Sequence, residues 1–131
     1  MVHCRRRFYE IHQATGSPLA EEALRRIGEL YEVEAEIRGR PAEERRAVRQ
    51  ERSRPVVEAL HAWLTAQLGR VSGKSGLAEA IRYALRHWPG LVLFLEDGRL
   101  EPDTNTIERA IRPISLGRKN ALFAGSDMLA A

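Results

Sequence analysis

The sequence predicts a mainly α-helical chain, arranged as a helical hairpin or small bundle. Three observations lead there. Apolar residues recur at three- and four-residue steps through much of the chain. Helix-start chemistry stands at Ser17-Pro18 and Ser75. Gly and Pro punctuate the pattern between those periodic runs. With 131 residues, 44% hydrophobic and 30% charged, the chain suits one soluble globular domain, 1–131, rather than a disordered tail. Aromatic residues make up only 6%, so the core is expected to rest mainly on Leu, Ile, Val and Ala.

The first helix is expected at about residues 5–14, with Phe8, Ile11 and His12 on one side and Gly16 ending it. Ser17 then serves as N-cap and Pro18 takes the first helical position of a second helix reaching about Arg38. Leu19, Ala23, Leu24, Ile27, Leu30, Tyr31 and Ile37 form its apolar face, with Glu21, Glu22, Arg25, Arg26, Glu29, Glu32 and Glu36 opposite. Gly39 and Pro41 break it. The stretch 41–54 is charged, with Ala42, Ala47 and Val48 almost its only apolar residues. It reads as a solvated linker helix or turn carrying pairs such as Glu43 with Arg46, unable to bury much, in preference to a DNA-touching surface.

Ser53-Arg54-Pro55 is expected to restart the chain into an amphipathic helix bearing Val56, Val57, Leu60, Trp63, Leu64 and Leu68. That helix and the second can pair as an antiparallel hairpin. After a Gly/Ser loop at 71–76, Ser75 caps a helix with Leu77, Ala80, Ile81, Ala84, Leu85 and Trp88 on one stripe. Pro89-Gly90 interrupts it. Residues 91–95 form a short buried helix turn or strand, between which the spacing does not decide. Asp97-Gly98 is a turn signal. Trp63 and Trp88 lie on apolar stripes and belong to the core.

Net charge is +3 and the pI is near 9.5, a balance that suits a polyanion such as nucleic acid. Nearly all the cations are Arg, with Lys only at 74 and 119, so a GC-rich coding bias explains the charge equally well. The longest strongly apolar run, 91–95, is far short of the roughly 20 residues that span a bilayer. No apolar signal segment follows the basic N-terminus, so the expectation is a cytoplasmic protein without a membrane partner. The single cysteine, Cys4, excludes an internal disulfide and zinc-finger spacing. None of His3, His12, His61 and His87 has a partner at ordinary metal-ligand spacing. No nucleophile–base pair or Gly-rich phosphate loop is visible.

The segment 103–126 carries the chemistry. Asp103 or Asn105 can cap a helix on which Ile107 and Ile111 face inward and Glu108 and Arg112 stand one turn apart. Pro113 ends or kinks that helix. From spacing alone Glu108 reads as a structural residue: it stands three after Asn105, as in a capping box, and four before Arg112.

The string Asp103-x-Asn105-x-x-Glu108-Arg109-Ala110-Ile111-Arg112-Pro113, followed by Gly117-Arg118-Lys119-Asn120 and Phe123-Ala124-Gly125-Ser126, resembles the end of the IS-sixty-six family of insertion-sequence transposases. His3, Arg5, Arg6 and Phe8 are similar to that family's segment after its second Asp. Residues 81–85 and Trp88 are similar to its spacer, so the resemblance covers almost the whole chain. It implies that the chain is the C-terminal part of an Asp-Asp-Glu transposase, truncated at both ends. Residues 3–88 would be the helical spacer of an RNase H-like core whose sheet strands are missing, and 103–126 the last catalytic motif.

The same resemblance implies that Glu108 is the catalytic, metal-binding member of the triad. Mg²⁺ (or Mn²⁺) would be the cofactor of the intact enzyme and DNA transposon ends its partner. Arg109, Arg112, Arg118 and Lys119 would meet DNA phosphates, with Asp103 and Asn105 in support. One carboxylate holds no metal pair, so the chain alone is expected to bind metal weakly and to be inactive. The alternative is a stand-alone helical interaction or DNA-binding module. Apolar faces around Ile107, Ile111 and 91–95, uncovered by a sheet, would then drive a homodimer.

Overall fold

A computed structural model describes residues 1–103, and among these every regular element is helical. Helix α1 (Val2–Thr15) ends at Gly16, whose φ of 67° is the left-handed conformation that glycine adopts without strain; its N–H reaches the His12 carbonyl at 2.8 Å. Ser17 immediately caps α2 (Pro18–Ile37): its hydroxyl accepts from the Ala20 N–H at 3.2 Å, and Pro18 spends its missing donor where none is needed. Two residues thus reverse the chain and lay α2 back along α1.

After a turn at Gly39 come α3 (Ala42–Val48), a single π-turn (Arg49–Ser53) and α4 (Arg54–Leu68). These are one continuous helical run, so the restart expected at Ser53-Arg54-Pro55 does not occur. Inside a helix, a proline lacks the N–H of the ladder and crowds the carbonyl four residues back. The π-turn directly before Pro55 has the wider pattern, with the Arg54 N–H bonded to the Arg49 carbonyl five residues back. Helix α4 then packs antiparallel to α2, as the two apolar stripes require. Ser75 caps α5 (Gly76–Arg86), accepting from the Ala78 N–H at 3.0 Å. The segment 91–95 resolves as helical turns: α6 (Trp88–Leu91) and a 3₁₀ turn (Leu93–Leu95).

The core lies between α1, α2, α4 and α5 and is closed by the 3₁₀ turn. Ala23, Ile27 and Leu30 from α2 meet Leu60 and Leu64 from α4, and Ile81 and Ala84 from α5. Its bulkiest apolar members are nonetheless Phe8 and Phe94, both fully buried. Trp63 and Trp88 pack against it at its edge. The expectation of an uncovered apolar face at 91–95 is corrected: Leu91, Phe94 and Leu95 are buried by the chain's own helices.

The reading of 41–54 as a solvated segment is also corrected. Arg49 is completely buried, and Ser53 with it. The Arg49 guanidinium forks onto the Glu34 carboxylate at 2.9 and 2.7 Å and donates to the carbonyls of Phe94 (2.9 Å) and Asp97 (3.3 Å). Around it Arg46 donates to the Glu96 carbonyl, Gln50 to the Leu95 carbonyl, Arg54 to the Glu96 carboxylate and Arg52 to Glu36. Arg46, expected with Glu43, faces Glu96 instead. Arg46, Arg49, Gln50 and Arg54 anchor the turn 93–98, whose 3₁₀ geometry leaves carbonyls without helical partners, while Arg52 ties the same helical run to α2.

Candidate functional site

The anchored turn directs the chain toward residue 103, where the predicted site begins. The Asp97-Gly98 turn closes with the Leu100 N–H on the Asp97 carbonyl at 3.0 Å. Gly98 lies so close to α3 that a Cβ there would stand 1.8 Å from the Ala42 carbonyl oxygen, so only glycine fits. Arg99 donates three hydrogen bonds to the Asp97 carboxylate, which holds that carboxyl down at about 2. Arg45 pairs with Glu101 and carries the tie to α3 onward.

At the end of this path the Met1 amine donates to the Pro102 carbonyl at 2.9 Å. The beginning of α1 and the end of the described chain therefore lie side by side, 101 residues apart in sequence. Next to them the Tyr31 hydroxyl of α2 donates to the Asp103 carboxylate. Burial raises the Tyr31 phenol well above its ordinary value, and the Asp103 hydrogen bond and charge raise it further, so Tyr31 remains a donor. The Arg5 guanidinium lies over the Tyr31 ring, 4.6 Å from its centroid. Three elements thus meet at one corner: α1 through Arg5, α2 through Tyr31, and the outgoing chain through Asp103.

Of the predicted site residues, only Asp103 falls within this region. Asn105, Glu108, Arg109, Arg112, Arg118 and Lys119 lie outside the described residues, as do Ile107 and Ile111. Among the described residues no group of three or more His, Cys, Asp and Glu side chains could hold a metal ion. The corner with Asp103 holds the start of the motif to the helical body.

Sequence reasoning missed two features of the site. Tyr31 was assigned to the apolar face of its helix, and only the fold brings it to Asp103. Arg5, Arg6 and Tyr9 form a second feature, the outer surface of α1. Tyr9 is 50% exposed, the one exposed large hydrophobic residue among those described. The signal was available, because Arg5, Arg6 and Tyr9 are spaced four and three apart and share a helix face.

No described helix is long and apolar enough to cross a membrane. The family model described as "Transposase IS66 family" matches residues 1–131. The chain is 48% identical over 126 residues to the Sinorhizobium fredii protein "Uncharacterized protein y4qI", covering 96% of this chain and 23% of that one. It is 44% identical over 126 residues to "Uncharacterized protein y4jD" of the same organism, covering 96% of this chain and 25% of that one. The chain thus spans about a quarter of the length of the curated relatives it matches. No solved structure matches it.

Proposed function

The chain belongs to the IS66 family of transposases, and from that premise we propose that its helical body carries Glu108 to two carboxylates held elsewhere in the full-length protein. Together they would form an Asp-Asp-Glu centre for cutting and joining DNA strands. The observation that supports this most is the junction of Met1 with Pro102 at 2.9 Å. A body whose two ends adjoin can hang from an RNase H-like core between consecutive parts of it, leaving those parts close enough to cooperate. The clasp of Arg49, Arg45 and Tyr31 holds 94–103, the stretch that leads up to the Glu108 motif, against that body.

In this reading Glu108 is a hard-oxygen ligand for Mg²⁺, which would neutralise charge developing on the phosphate. The described residues contain no alternative cluster for that role, and within these 131 residues the motif supplies one ligand of the three. Arg109, Arg112, Arg118 and Lys119 would contact phosphates, with Asn105 beside them. The alternative reading, a self-associating helical module, draws support from the self-contained core. It loses the part of its apolar surface at 91–95, whereas Ile107 and Ile111, the other part, lie outside the described residues.

The test is a chimera in which this chain replaces the matching quarter of the y4qI protein, assayed for Mg²⁺-dependent cleavage of insertion-sequence ends. Glu108→Gln is expected to reduce cleavage by at least about a hundredfold while DNA binding persists. Cleavage at the parent rate with Gln at 108 would remove that residue from the active centre.

A further inference from the structure

We propose that the outer groove of α1 holds a single strand of DNA, with Arg5 and Arg6 on its phosphates and Tyr9 against one of its bases. The groove, ≈ 570 Å³, is lined by Val2, Arg5, Arg6, Tyr9 and Leu24. That is within the ~300–1,000 Å³ of clefts that take small ligands, so a nucleotide unit fits. Among the described residues no acidic side chain lines it. Glu10 approaches Arg6 only to 3.9 Å, with both side chains mostly in solvent, and so neutralises it little.

Backbone-tracking cations interleaved with an open aromatic face are the elements of single-strand binding: the cations follow phosphates and the ring stacks on an unpaired base. A duplex keeps its bases stacked inside and would engage the arginines while leaving Tyr9 idle. Tyr9 is otherwise hard to account for, since every other large hydrophobic among the described residues is at least partly covered. Placement agrees with the chemistry. Val2 sits beside Met1 at the junction with Pro102, so the groove opens beside the last described residues before the Glu108 motif. The choice of DNA rests on the transposase reading; the groove's preference for a single strand does not.

The experiment is fluorescence anisotropy with the whole chain, comparing labelled oligothymidylate with the matching duplex across a salt series. The single strand is expected to bind more tightly than the duplex. Tyr9→Ala is expected to weaken single-strand binding at least about fivefold, and Tyr9→Phe, which keeps the stacking face, to stay within about twofold of the parent. Arg6→Gln is expected to reduce the slope of log affinity against log salt by about 0.7. Both positions are exposed, and circular dichroism of each variant checks that the helices persist. Absence of single-strand binding, parental affinity in Tyr9→Ala, or an unchanged slope in Arg6→Gln would each overturn the proposal. Because no cleavage is measured, such a result leaves the Glu108 reading standing, and loss of the Glu108 reading leaves this binding measurable.

Discussion

Replacing Arg49 by Met tests whether a buried cation organises this fold. Arg49 is 0% exposed and its partner Glu34 is 8% exposed, so neither can turn to water when the other is removed. Arg49→Met leaves a carboxylate in the core without its cation, and the Phe94 and Asp97 carbonyls without their donor. Breaking a buried pair from one side costs about 3–5 kcal/mol. A domain of this size is stable by about 5–15 kcal/mol in total, so the loss is large. Replacing both residues by Met removes the stranded charge and keeps the volume. What then remains is the cost of carbonyls without donors, about 1–3 kcal/mol. The double variant is therefore expected to be more stable than Arg49→Met alone. Urea unfolding followed by circular dichroism at several wavelengths measures all three midpoints. Parental stability in Arg49→Met would refute the reasoning, and so would strict additivity of the two single changes.

Two further outcomes follow from the same packing. Gly98→Ala drives a methyl group into the Ala42 carbonyl, so the turn 96–99 must move off α3; a loss of about 1–3 kcal/mol is expected in the same urea assay, and an unchanged midpoint would mean that the two segments are not in contact. Cys4 is buried, and burial lifts its thiol to about 11 from the usual 9.0. The folded state thus keeps the proton that the unfolded chain releases, so this contribution to stability is complete below pH 9 and is lost as pH rises toward 11. Alkylation of Cys4 by iodoacetamide at pH 8 is accordingly expected to be slow in the folded protein and fast in urea; equal rates would contradict its burial.

The parts of the fold that were legible in the sequence are local. Gly16, Ser17, Pro18 and Ser75 each act through backbone groups within four residues, so their chemistry announces the helix ends directly. The apolar stripes of α2, α4 and α5 likewise follow from one period. The charged stretch 41–54 was misread because its partners are distant in sequence. Glu34 and the carbonyls of 94–97 turn a run of arginines from a solvated face into a clasp, and no periodicity records that. One clue existed: Glu34 falls on the same three- and four-residue phase as Ile27, Leu30 and Ile37, and a carboxylate on an apolar phase requires a buried cation. At the candidate site, the motif around Glu108 was legible only by resemblance, since spacing alone favours a capping role. Tyr31 and the α1 groove needed the fold, because they depend on which helices lie side by side.

The π-turn between α3 and α4 sets the phase between two surfaces. An α-helix advances 100° per residue, so the one surplus residue that the π-turn takes up before Pro55 offsets the sequence phase of everything beyond it by that angle. Arg49 can thereby look toward Glu34 and Phe94 while Val57, Leu60 and Leu64 look toward α2 and α5. Deleting one residue from 50–52 would therefore restore uniform winding while leaving Arg49 and the leucines facing as they do now.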